Sequence, residues 1–154
     1  MEFYKSFPIA IIDEDYEGRN AAGRGSDRIH RTYRDDAVPE AQREMYTVPP
    51  EMALRPADAY DRLVKGKVES VEIDDLMGRT LAVMVVPYPP GIPLIMPGER
   101  ITETTKSIQD YLLYARSFDR DFPGFETDIH GLRFAPGDAG RRYLVDCVIE
   151  EGRP

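Results

Sequence analysis

The apolar and polar positions of this chain switch between strand-like and helix-like periods, and one stretch organises the rest. Residues 81–86 (LAVMVV) form an apolar, β-branched run that a proline ends at once, which reads as a buried strand. Pro87, Pro89, Pro90, Pro93 and Pro97 follow. Each lacks a backbone donor and biases its predecessor toward extended geometry, so the chain is expected to leave the strand as a stiff loop that turns at Gly91 and Gly98. The loop's only polar side chains are Tyr88 and Glu99. So apolar a loop is costly to leave in water and is expected to pack against something.

The other segments fall on either side of it. Residues 55–66 (RPADAYDRLVKG) read as a helix with Pro56 in its first turn, Asp58 near its positive end, Ala57, Tyr60, Leu63 and Val64 on one face, and Gly66 left-handed at its end. Residues 68–73 are a strand candidate, turning through 74–78 into the strand at 79–86 as an antiparallel neighbour. Glu69, Glu72, Asp74 and Asp75 read as a solvated edge. The longest helix is expected at 102–122, capped by Thr102, with Glu103 in its first turn and Arg116 and Arg120 toward its end. Its buried stripe is Ile101, Ile108, Tyr111, Leu112, Ala115 and Phe118, with Leu113 and Tyr114 at the margins, and Pro123 and Gly124 end it. Residues 132–134 and 143–149 read as a terminal hairpin turned by Pro136, Gly137 and Gly140. Cys147 shares a face with Tyr143 and Val145 and is expected to be a small buried hydrophobe.

Upstream, residues 7–12 (FPIAII) have a short buried-strand pattern ending in Asp13, Glu14 and Asp15. Acids so placed can hold a divalent metal in receiver-like folds, but this strand lacks parallel neighbours and no metal site is assigned. Residues 18–25 (GRNAAGRG) match neither phosphate-binding glycine pattern and read as a joint. Residues 38–46 are a short helix with Pro39 and Glu40 in its first turn, and Val48, Pro49 and Pro50 mark a boundary.

Length and composition narrow the class. The chain has 154 residues, 42% hydrophobic against 31% charged, enough for one domain with a core. No apolar run approaches the roughly 18 residues of a membrane span, and no secretory signal is legible, so the default compartment is the cytoplasm. Cys147 is the single cysteine, which excludes an intramolecular disulfide. A net charge of −8 argues against nucleic acid and anionic membranes as partners.

Three constellations could carry chemistry. Glu126, Asp128 and His130 alternate and would share one face if extended, as a weak candidate metal or catalytic site. Cys147 with a histidine is a weaker one, since nothing nearby would lower the thiol pKa. The third is Tyr88 with Glu99, where a phenol on a stiff loop offers a basic ligand both an acceptor and an apolar wall. Glu99 could equally cap the helix that follows.

PYPPGIPLIMPGE (residues 87–99), followed about two dozen residues later by FPGFETDIHG (122–131), resembles the C-terminal domain of the bacterial pyridoxal-phosphate-dependent ornithine/lysine/arginine decarboxylases. Residues 7–25 resemble the opening strand and loop of that family's receiver-like wing domain. The resemblance implies three regions: a wing remnant at 1–25, the end of the catalytic core at 26–50 and the C-terminal domain at 51–154. It also implies an α+β fold, an antiparallel or mixed sheet covered by helices on one side. By the same resemblance the proline loop would look into the mouth of the substrate channel, with Tyr88, Pro90, Gly91 and Glu99 lining it and Tyr88 near the distal amino or guanidinium end of the substrate. The family's cofactor lysine directly follows a histidine, whereas neither His30 nor His130 precedes a lysine, and Lys5, Lys65, Lys67 and Lys106 sit in unlike contexts. No catalytic residue and no cofactor is therefore assigned to this chain. The expectation is the channel and assembly domain of a basic amino acid decarboxylase, inactive alone, whose partners are the catalytic core and further copies of the subunit. A free-standing regulatory module docking onto a complete decarboxylase is the alternative, and an independent enzyme built on ETDIH ranks last.

Overall fold

The computed structural model describes residues 44–150 apart from Pro89, Phe125, Asp138 and Ala139, and these fall within the unit Ala37–Pro154. The strand expected at 7–12, the acids behind it, the glycine-rich joint and most of the helix at 38–46 lie outside the described residues. Of that helix only the end is described, with Glu44 helical and Met45 buried.

In chain order the elements are β1 (Glu51–Met52), α1 (Pro56–Val64), β2 (Val68–Glu72), a 3-10 turn (Ile73–Asp75), β3 (Val86–Tyr88), β4 (Glu99–Arg100), a second 3-10 turn (Glu103–Thr105), α2 (Lys106–Asp121), β5 (Asp128–His130), β6 (Leu132–Gly137) and β7 (Gly140–Val148). β7 is the centre of the main sheet, antiparallel to β2 on one side and to β6 on the other. Its alternate residues Tyr143, Val145 and Cys147 are buried in the main core with Ile101, Ile108, Tyr111, Leu112 and Ala115 of the expected stripe, and Phe118, the last of that stripe, is also buried. Fully burying one such side chain stabilises by about 1.5–3 kcal/mol, so this helix-on-sheet layer dominates the fold. Burial pushes the Cys147 thiol up to about 12, as expected of a cysteine that serves as a small hydrophobe.

A capping box starts the α2 segment, with the Thr102 amide donating to Thr105 Oγ1 at 2.9 Å. Gln109, buried in the middle of α2, donates to the carbonyls of Ile73 and Asp74 at 2.8 Å each. It fastens the first 3-10 turn to the helix, a role no periodicity signals.

The segment at 79–86 departs from expectation. It does not pair with β2, and it is not one strand. The Ala82 amide donates to the Asp146 carbonyl and the Val148 amide to the Thr80 carbonyl, while on the other side Leu81 exchanges backbone bonds with Glu99 and Gly98. Residues 80–82 thus lie between the end of β7, beyond the reach of β6, and β4, which pairs with β1. The chain then bends, and Val85 pairs with Ile95 before β3 begins. The reason lies in the connection: a 3-10 turn at Ile73–Asp75 and a further turn at residues 76–79 replace a tight hairpin, so the chain crosses β7 instead of folding back beside β2.

Three further details differ. The α1 helix buries Ala59 rather than the expected face, with Leu63 half-buried and Ala57, Tyr60 and Val64 exposed. It packs through Leu54, Ala59 and Leu63 on Val68, Ala82 and Val148, which alternate away from the residues facing α2. The two helices therefore cover opposite faces rather than one. The acids read as a solvated edge are mostly paired: Glu69 with Arg79, Glu72 with Arg142 and Asp74 with Arg116. The terminal hairpin pairs through Pro136 to the Gly137–Gly140 pair, so its turn is tighter than residues 136–140.

Candidate functional site

The proline loop projects from two buried anchors. The Leu94 amide donates to the Val85 carbonyl and the Val85 amide to the Ile95 carbonyl, and Leu94 and Ile95 are buried. Beyond them the tip turns back on itself, the Gly91 amide donating to the Pro87 carbonyl at 2.9 Å. Tyr88 stands at this tip, 60% exposed, with Pro90, Gly91 and Ile92 exposed beside it, while Met84 and Met96 are exposed at the base of the loop. Tyr46 holds the loop from outside, its hydroxyl donating to the Ile92 carbonyl at 3.0 Å. Glu99 does not cap α2. Its carboxylate instead accepts from the Met96 amide at 2.6 Å, closing the turn that carries Pro97 and Gly98.

Two glycines fix the ends of this arrangement. Gly98 has φ +88 and packs on the backbone of Leu54, so a side chain there would overlap the Leu54 carbonyl. Gly131 has φ +92 and lies in the same way on the carbonyl of Met84. The closing glycines of PGE and of DIHG are thus contact points between chain segments.

Pairing of β3 with β5 joins two constellations that the sequence presents separately. Tyr88 lies directly opposite Asp128 and Val86 opposite His130, and Val86, Pro87 and Ile129 are buried. Proline is tolerated here because the ribbon has only two strands, so a missing donor leaves no ladder broken on its outer edge. Asp128 and His130 are both 66% exposed, with Nε2 of the imidazole 3.4 Å from the carboxylate. Glu126 stays apart, because the amides of Gly124 and then of Glu126 itself hold its carboxyl below the usual range. Among the described residues no group of three His, Cys, Asp or Glu side chains is placed to hold a metal ion. Alternation in ETDIH placed Asp128 and His130 on one face, but nothing in local spacing indicated that Tyr88 would be their neighbour.

Asp119 anchors the start of that ribbon and was not singled out from sequence. Buried at the end of α2, it accepts from the Thr127 amide at 2.8 Å, from the Thr127 hydroxyl at 3.0 Å and from the Tyr143 hydroxyl. Burial, then the Asp119 carboxylate, raises the Tyr143 pKa well above that of a free phenol. Nearby, a groove of about 510 Å³ runs between α2 and the hairpin, lined by Arg116, Arg120, Arg141 and Arg142. Its arginines are largely committed: three are paired with Asp74, Asp121 and Glu72, and Arg141 lies 5.1 Å over the Phe134 ring.

Each of the described lysines lies exposed on the surface, away from the groove. Lys65 and Lys106 pair with Asp61 and Asp110 at 2.7 Å on exposed helix surfaces, Lys67 is exposed, and none lines the groove. No helix among the described residues is long and apolar enough to cross a membrane.

Residues 39–149 match the family described as Orn/Lys/Arg decarboxylase, C-terminal domain. A lysine decarboxylase of Pseudomonas aeruginosa is 60% identical over 125 residues, covering 81% of this chain but 17% of that protein. The constitutive lysine decarboxylase of Escherichia coli is 42% identical over 105 residues, 68% of this chain and 15% of its own length. The solved structure of lysine decarboxylase A from Pseudomonas aeruginosa superposes with a TM-score of 0.73 at 59% identity, covering 80% of this chain and 16% of that one. The chain therefore spans about one-sixth of the length of these relatives, and all of the match lies in one region of them. By fold and by sequence, this chain belongs to the ornithine/lysine/arginine decarboxylase family through its C-terminal domain.

Proposed function

We propose that this chain supplies the substrate-channel and assembly domain of a basic amino acid decarboxylase, and that it is inactive by itself. The observation that carries the reading is the proline-loop tip. Tyr88 and its neighbours Pro90, Gly91 and Ile92 are held by buried anchors yet left uncovered by the domain that holds them. A preorganised aromatic on an uncovered apolar tip is suited to complete a pocket on another surface at little ordering cost. Tyr88, Pro90, Gly91 and Glu99 would then contribute to the channel, the phenol meeting the distal cation of the substrate and Glu99 holding the loop's far end. The surface it completes would be a decarboxylase catalytic core. Lysine is the first substrate to test, since the relatives of 60% and 42% identity are named as lysine decarboxylases.

Pyridoxal phosphate, when bound to a catalytic core, supplies the electron sink for loss of carbon dioxide. None of the described lysines lies in the groove, so no step of that chemistry is assigned to this chain. Incubated with the cofactor and with lysine, arginine or ornithine, the chain is expected to release no carbon dioxide and to show no saturable cofactor absorbance band. Turnover, or a stoichiometric band on one lysine, would overturn the inactive-alone reading.

A further inference from the structure

We propose that Asp128 is the anionic half of a cation-receiving site whose other half is the Tyr88 phenol, and that the ligand it takes is a primary alkylammonium group. The inference rests on the reading of the proline loop as substrate-facing and adds the residue that supplies its charge. A phenol alone offers a cation an acceptor and a ring face, both weaker than a full negative charge. Direct antiparallel pairing of Tyr88 with Asp128 supplies that charge. Side chains directly opposite in such a pair have Cβ atoms about 4.5–5.5 Å apart, which suits one ammonium bridging both.

The surroundings favour this use of Asp128. Its neighbour Ile129 is buried with Val86 and Pro87, so the ribbon is fixed in the core while Tyr88, Asp128 and His130 stay exposed on it. Glu126 is turned to its own backbone amides and does not compete. His130 is the one charged-capable neighbour paired with Asp128 among the described residues. Asp119 fixes Thr127 immediately before the ribbon, so Asp128 enters the pair from a restrained position.

Nuclear magnetic resonance titration of the full chain with pentylammonium tests the site, with 1-pentanol as the neutral isostere. At pH 8, above the range in which imidazoles ordinarily carry charge, the cation is expected to shift the Tyr88, Asp128 and His130 signals saturably and pentanol is not. Asp128→Asn, an exposed substitution that leaves the fold intact by circular dichroism, is expected to weaken the apparent affinity at least fivefold. Equal affinity in Asp128→Asn, or no saturable shift in the unsubstituted chain, would overturn the proposal. If Tyr88→Phe weakens binding while Asp128→Asn does not, the assignment of Asp128 falls and the channel reading of the loop stands. That reading is itself decided separately, by kinetics on a complete enzyme.

Discussion

Gly131→Ala is expected to lower stability by at least about 3 kcal/mol. Its backbone sits at φ +92, a region L residues enter only under strain, and the added methyl would overlap the Met84 carbonyl oxygen and stand 3.0 Å from its carbon. Neither partner yields easily. Val85, next to Met84, is zipped to Leu94 and Ile95, and Gly131 connects β5 directly to β6. Gly98→Ala is expected to behave alike, since its methyl would overlap the Leu54 carbonyl while Ala53 and Leu54 both donate to the Gly98 carbonyl at 2.9 Å. Gly66→Ala is the control. It too has positive φ, at +68, but open space around it, so its cost is expected near 1–2 kcal/mol. Urea unfolding of the three variants decides the matter through their midpoints. Equal costs at Gly66 and Gly131 would show that the packing of DIHG on the loop base is not what the structure describes.

Asp119→Ala is expected to cost about 3 kcal/mol, because it removes the acceptor of three hydrogen bonds and leaves the Tyr143 hydroxyl and Thr127 amide to find new partners. The same network sets an alkaline limit. The Tyr143 pKa is raised on folding, so its contribution to stability is complete below the ordinary phenol value near 10 and is lost as pH climbs above it. Cys147, raised to about 12, acts in the same direction from its ordinary value near 9 upward. Stability is therefore expected to be flat from neutrality to about pH 9 and to fall beyond it. Tyr143→Phe is expected to start lower at neutral pH and to fall less steeply between pH 10 and 11. A parallel fall in both proteins would mean that Tyr143 does not carry the alkaline limb.

How much of this was legible in the sequence depended on the range of the forces involved. The apolar stripe of α2 was legible, every residue named for it being buried, because a helix that buries one face imposes its own period on the chain. Cys147 was placed among Tyr143 and Val145 for the equivalent reason in a strand. The α1 face was misread because the apolar residues followed, Ala57, Tyr60 and Val64, turn to the surface, while the helix buries Ala59 through contacts with segments far along the chain. Pairing of residues 80–82 with β7 and β4 was not legible, since the partners lie far along the chain and no local signal ranks β2 below them. The site followed the same rule. Tyr88 stood out by its loop and Asp128 by its alternation with His130, but their juxtaposition is a matter of strand register. Asp119 left no trace, because a single acid at the end of a helix looks solvated until the chain folds back over it.

The assignment of the proline loop to the substrate channel is tested most directly by steady-state kinetics on a complete decarboxylase carrying this domain, comparing Tyr88→Phe with Glu126→Gln. Hydrogen bonds to charged groups contribute on the order of 1–3 kcal/mol, which corresponds to roughly a ten- to hundredfold loss in kcat/KM. That loss is predicted for Tyr88→Phe with lysine, arginine or ornithine, whichever the enzyme uses, because the hydroxyl removed is the one offered at the exposed tip. Glu126→Gln is predicted to stay within about twofold of the parent, since its carboxylate is engaged by the amides of its own turn. A Tyr88→Phe enzyme equal to the parent on every substrate, beside a failing Glu126→Gln enzyme, would contradict the account and move the functional weight from the loop to the turn.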